Sequence, residues 1–100
     1  MLIKWGVYGS DRLHNKILSI FPAITETWNP QEPIITAIGE GTHQITPTLS
    51  KHYYNPIRAI DLRIPSFVKT RVAKLQEKLG KEYRVINEGN HIHIQWNGPI

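Results

Sequence analysis

Cysteine is absent from the 100-residue chain, which excludes disulfide stapling and removes thiolates from the candidate metal ligands. The fold must therefore hold by packing, helped at most by a bound metal, and any metal site has to be assembled from His, Asp and Glu. Long apolar runs are missing as well. No stretch reaches the length of a membrane span or of a signal-peptide core, so the chain is expected to begin in the cytoplasm. There is also no interleaving of aromatic and basic residues of the kind that grips nucleic acid.

What is present is ordinary for a globular protein. The apolar fraction is 40% and the charged fraction 20%, and the length predicts one domain, residues 1–100, with a real core but little to spare. The formal net charge of +4 and a pI near 9.6 favour anionic partners, such as cell-wall polymers or nucleic acid.

Periodicity sketches an α+β domain, a small antiparallel sheet packed against two or three helices. Leu2, Ile3, Trp5 and Val7 suit a short strand or a packed arm. After Gly9-Ser10-Asp11, Leu13, Ile17, Ile20 and Phe21 recur at helical spacing up to Pro22. Residues 23–33 read as a connector, with Trp28 as a core anchor and Pro22, Pro30 and Pro33 opposing helix. His14 falls off the helical stripe and is expected in solvent. Residues 33–38 predict a strand, followed by a turn at Gly39-Glu40-Gly41. Ser66 is a candidate N-cap for the best helix in the sequence, with Val68, Val72, Leu75 and Leu79 as its apolar stripe and Gly80 as its stop. Its basic residues read as a solvated face. A strand around Tyr83, Val85 and Ile86 then turns through Glu88-Gly89-Asn90 into His91–Trp96, a hairpin in form.

Chemistry concentrates in two stretches. Ala59-Ile60-Asp61-Leu62-Arg63-Ile64 is a strand-prone run in which Asp61 points away from the face of Ile60 and Leu62. A carboxylate there needs a partner, because burying it unpaired is costly. In residues 91–96 the order His-Ile-His-Ile-Gln-Trp has the period of a half-buried strand. His91, His93 and Gln95 would line one face and Ile92, Ile94 and Trp96 the core. Two imidazoles on one strand face can address the same metal or substrate, and the strand geometry permits either as ligand. Singly, each residue has a plain structural explanation: Asp61 paired with Arg63, His91 and His93 on the polar face of an edge strand, His52 in a surface loop.

Taken together, Ser50-Lys51-His52-Tyr53, Arg58-Ala59-Ile60-Asp61 and Glu88-Gly89-Asn90-His91-Ile92-His93 resemble the zinc D-Ala-D-Ala carboxypeptidase and L-Ala-D-Glu endopeptidase superfamily, which includes the hedgehog zinc domain and small phage-encoded members. The likeness extends from Ile34 to Trp96 and keeps three separated motifs in order. It implies a hedgehog-like fold and Zn2+ bound by His52, Asp61 and His93. His91 would stabilise the reacting carbonyl and Glu88 would act as the base. Ser50, Arg58 or His43 would contact substrate. The implied activity is hydrolysis of peptidoglycan stem peptides, as a D-Ala-D-Ala carboxypeptidase or an endolysin-type endopeptidase. Wall access would then come by release at lysis or from a virion.

One departure stands out. The family pattern has seven steps from the first His to the Asp, with a Gly between them. Here the distance from 52 to 61 is nine, the Gly is missing, and Asn55-Pro56-Ile57 fills the middle. Asn-Pro starts turns readily, so an insertion there can bulge outward without moving its ends. Two other classes stand beside the peptidase: a zinc-containing binding module without catalysis and, ranked last, a small basic nucleic-acid binder whose affinity would depend on salt and ignore chelators.

Overall fold

The computed structural model describes residues 1–7, 9–38 and 57–98. They form an α+β fold on a five-stranded mixed sheet: β1 (Leu2–Ile3), β2 (Ile34–Ala37), β3 (Ala59–Leu62), β4 (Tyr83–Asn87) and β5 (Ile92–Trp96), in the order β1-β2-β3-β5-β4. All pairings are antiparallel except β1 with β2, which run parallel. That is a departure from the expected antiparallel sheet. The segment between β1 and β2 is helical, and a long helical crossover is what a parallel pair requires.

The helices are α1 (Asn15–Leu18), α2 (Phe21–Trp28) and α3 (Val68–Leu79), preceded by a 3-10 turn at Ser10–Arg12. The α2 helix overturns the expected connector. Pro22 lies in its first turn, where the missing N–H would have had no helical partner, so proline starts this helix rather than breaking it. Trp28 ends the helix and is 1% exposed.

His14 is likewise not a solvated helix residue. It is the α1 N-cap, its Nδ1 accepting from the Lys16 N–H at 3.0 Å while its ring packs 4.5 Å from the Trp96 ring. Ser66 does not cap α3; the N-cap is Phe67, which adopts left-handed backbone at φ 51° with its side chain largely in solvent, an unusual conformation for a bulky residue. Gln31 Oε1 accepts instead from the Ser66 N–H and from Arg71 Nη1, at 2.9 and 2.7 Å.

The core is one cluster. Ile17, Ile20, Ile24 and Trp28 from the first helices and Leu75 from α3 meet Ile35, Ile60, Leu62, Val85, Ile92, Ile94 and Trp96 from the sheet. On β3 and β5 these are alternate residues, so the intervening side chains project to the other face. Gln76 ties α3 to β4, its Oε1 accepting from Val85 N–H and its Nε2 donating to Tyr83 O. Among the described residues, no helix is long and apolar enough to cross a membrane.

Candidate functional site

β3 and β5 lie side by side, and their register sets Asp61 directly opposite His93. Facing residues in an antiparallel pair share a face. Asp61 Oδ1 lies 2.9 Å from His93 Nδ1, and its second oxygen, Oδ2, lies 3.6 Å from His91 Nε2. Both Asp61 and His93 are buried, whereas His91 is partly open to solvent and has Nδ1 2.5 Å from Asn90 Oδ1.

His93 is held from its other side too. Its Nε2 is 2.7 Å from Gln95 Oε1, and the Gln95 amide donates from Nε2 to Asn97 Oδ1 at 2.7 Å. That second bond orients the amide so that oxygen, not nitrogen, faces the imidazole. Gln95 was expected on this face, but its role as a clamp was not, nor was that of Asn97. The signal was the spacing of two from His93, which a strand turns into adjacency.

Burial alone would lower the His93 pKa. The hydrogen bonds to Asp61 and Gln95, with the charges of Asp61 and Glu88, outweigh it and hold the group above its ordinary value of 6.5. The folded state therefore binds this proton more tightly than the unfolded chain. The resulting stabilisation is present in full below 6.5 and is lost as pH rises through the elevated folded value. Metal-free protein should melt at progressively lower temperature as pH rises above 6.5, and His93→Gln should flatten that slope. A melting temperature that climbs across this range in the wild type, or a slope unchanged in the variant, would contradict the pairing.

Glu88 follows β4, on the exposed turn of the β4–β5 hairpin, its N–H bonded to His91 O at 3.0 Å. Gly89 makes that turn at φ 94°. Glu88 lies two residues beyond Ile86, which pairs with His93, so its charge reaches the imidazole.

Arg58 is placed elsewhere. It precedes Asp61 by three residues, which in extended chain turns it to the opposite face. Its guanidinium is buried, stacks 4.2 Å from the Trp96 ring and donates to Gly98 O. That is a packing role, at a distance from the carboxylate-imidazole cluster. His43, Ser50 and His52 lie outside the described residues, as do Asn55 and Pro56 of the insertion, whereas Ile57 is packed in the core.

A cleft of about 460 Å³ opens beside the cluster, lined by Lys4, Thr36, Asp61, Arg63, Asn90 and His91 among others. Its size suits a small ligand or a peptide end. Asp61 and His93 supply donor types that zinc accepts, and donors sharing one tetrahedral zinc stand about 3.3 Å apart; theirs are 2.9 Å apart. The Gln95 contact matches the acceptor that a metal-bound imidazole ordinarily finds for its other N–H. Among the described residues, however, no group of three or more His, Cys, Asp or Glu side chains is arranged to hold a metal ion. Asp61 and His93 are thus a fitting but partial ligand set. Comparison of the chain with protein-family models, curated proteins and solved structures found no match.

Proposed function

We propose that the chain is a zinc-dependent peptidase that hydrolyses peptidoglycan stem peptides. The observation that carries this reading is the buried Asp61–His93 pair on adjacent central strands, with His91 at the other carboxylate oxygen and a cleft alongside. The order of the motifs around His52, Asp61 and His93 supports the same reading through its resemblance to the D-Ala-D-Ala carboxypeptidase and L-Ala-D-Glu endopeptidase superfamily.

In this reading Asp61 and His93 would hold the ion together with His52. A bound zinc would supply a Lewis acid and lower the pKa of a water toward neutrality. Gln95 Oε1 keeps the proton on His93 Nε2 and so fixes which ring nitrogen faces Asp61. The Glu88 carboxylate accepts the proton of the attacking water and returns it to the leaving amine. His91 donates from its ring to the oxyanion that develops at the peptide carbonyl. Cleavage of D-Ala-D-Ala and of L-Ala-D-Glu are both compatible with these roles.

A second reading, a zinc-containing binding module, draws on one observation: Glu88 sits on an exposed turn and does not line the cleft. Glu88→Gln separates the two. In the peptidase it should retain zinc and lose about 10²- to 10⁴-fold in stem-peptide hydrolysis, read by metal analysis alongside product release with and without chelator. Hydrolysis undiminished in Glu88→Gln removes Glu88 as the base, and wild-type protein that holds zinc without turnover is a binding module.

A further inference from the structure

We propose that the outer edge of β1, with Trp5 on the turn that follows it, docks an extended segment of a partner protein whose residues alternate apolar and acidic, adding a strand to the sheet. Neither zinc nor the Asp61–His93 pair enters this inference. β1 stands at one end of the strand order, beside β2. Leu2 N–H and Lys4 N–H bond inward to Pro33 O and Ile35 O, at 3.0 and 2.9 Å. Successive residues of a strand alternate the side to which their peptide groups point, so the N–H and C=O of Ile3 face outward. No other segment among the described residues bonds to them. They are the donor and acceptor that an added strand pairs with.

Beyond Ile3 the chain turns sharply. Val7 N–H donates to Lys4 O at 3.2 Å, and Gly6, third in the turn, takes φ 88°, which glycine adopts without a Cβ clash. The turn carries Trp5 into solvent, where it is 98% exposed, and Leu2 and Ile3 beside it are about half exposed. Ile3, Trp5 and Val7, with Lys4 and Gly6, line a groove of about 370 Å³ along this edge. β4, the opposite edge, has none of the exposed large apolar side chains; its exposed residues are Arg84 and Asn87. Natural edges are ordinarily blunted by charge, proline or a bulge. β1 instead couples an open edge with apolar surface and a single charge.

Charge and area select the occupant. Each copy of the chain carries a formal +4, which opposes self-association. A two-residue strand with three exposed apolar side chains also offers well under the roughly 800 Å² that each partner of a stable complex contributes. An extended segment needs less area, because main-chain hydrogen bonds supply part of its affinity. Lys4 is the cation of the edge. Its ammonium has no carboxylate within ion-pair distance among the described residues, whereas the amino group of Met1 is matched by Glu32 at 3.3 Å. Alternation puts Ile3 and Trp5 on one side of the edge and Lys4 on the other. A strand laid alongside would set apolar side chains against Ile3 and Trp5 and, at the positions between, carboxylates toward Lys4.

The test uses the full chain and three capped peptides: N-acetyl-Val-Glu-Val-Glu-Val-amide, the same peptide with Lys in place of Glu, and N-acetyl-pentaglutamate amide. Binding is followed by NMR titration of backbone amides for the wild type, Trp5→Ala and Lys4→Glu. The wild type should bind the Val-Glu peptide at least about tenfold more tightly than its lysine counterpart, equivalent to 1.4 kcal/mol. The shifts should centre on β1 and the turn after it, with the Ile3 amide proton moving downfield as it gains an acceptor. Trp5→Ala, with its spectrum otherwise unchanged, should bind that peptide about tenfold more weakly. Lys4→Glu should reverse the preference between the glutamate and lysine peptides. Equal binding of those two, shifts centred on β4, or no binding at about 1 mM peptide overturns the docking edge. Pentaglutamate binding as tightly as the alternating peptide overturns it too, because that marks attraction by charge alone. Sedimentation of the wild type as a dimer that Trp5→Ala converts to monomer gives the edge to a second copy and likewise overturns the proposal.

Discussion

On the proposed zinc-peptidase reading, Asp61→Asn should abolish hydrolysis and lower zinc affinity by more than about 100-fold, a larger loss than changing a partner behind a ligand ordinarily causes. The substitution preserves shape and one acceptor for His93 Nδ1, but it removes the charge that links His93 on one side to His91 on the other. Without it the His93 imidazole loses a principal cause of its raised pKa and is left neutral in a buried position. Breaking a buried pair by removing one partner costs about 3–5 kcal/mol, and the retained acceptor should keep the cost at the lower end. A domain of this kind has about 5–15 kcal/mol in total, so the variant should still fold. Zinc content by metal analysis and a melting curve on the same sample separate the two effects. Stoichiometric zinc in a folded Asp61→Asn protein would remove Asp61 from the ligand set.

Trp28→Ala should be the most damaging single change to the fold. Trp28 is 1% exposed at the end of α2, inside the cluster that joins the helices to the sheet. Truncating a buried tryptophan costs about 3–5 kcal/mol through lost burial and the cavity left behind. For a domain of this size that lowers Tm by more than about 12 °C. In urea the midpoint should fall with little change in slope. Trp5 is the natural control, since it is 98% exposed and its replacement by alanine should stay within about 0.5 kcal/mol. Similar losses from the two substitutions would mean that Trp28 does not anchor the core.

The contrast between those tryptophans shows what was legible in the sequence. Where alternation or helical spacing ran unbroken, it placed side chains correctly: Ile92, Ile94 and Trp96 inward from β5, Ile60 and Leu62 inward from β3, and Leu75 on the buried stripe of α3. It also set Asp61, His93 and Gln95 on the opposite face, although their register came only from pairing two segments about thirty residues apart. Local rules failed where two of them competed. Pro22 reads as a breaker or as a starter depending on whether the helix lies behind or ahead of it, and here it lies ahead. Arg58 looked available because it is charged, but parity along the extended chain sends it to Trp96. His14 is an N-cap because its ring nitrogen reaches the Lys16 N–H, a use of histidine that composition does not announce. The parallel pairing of β1 is a long-range choice with no local signature.

The strand order has a lasting consequence. β3 and β5 each have a neighbour on both edges, so amide hydrogens beneath Asp61 and His93 should exchange with solvent only when the whole molecule opens. Lys4, beside a two-residue outer strand, sits where opening costs little. The carboxylate–imidazole floor is thus tied to global cooperativity and resists drift, whereas the rim can be rewritten by mutation at small thermodynamic expense. Substitutions on that rim should therefore leave the ability to fold intact, whereas those beneath Asp61 and His93 should not.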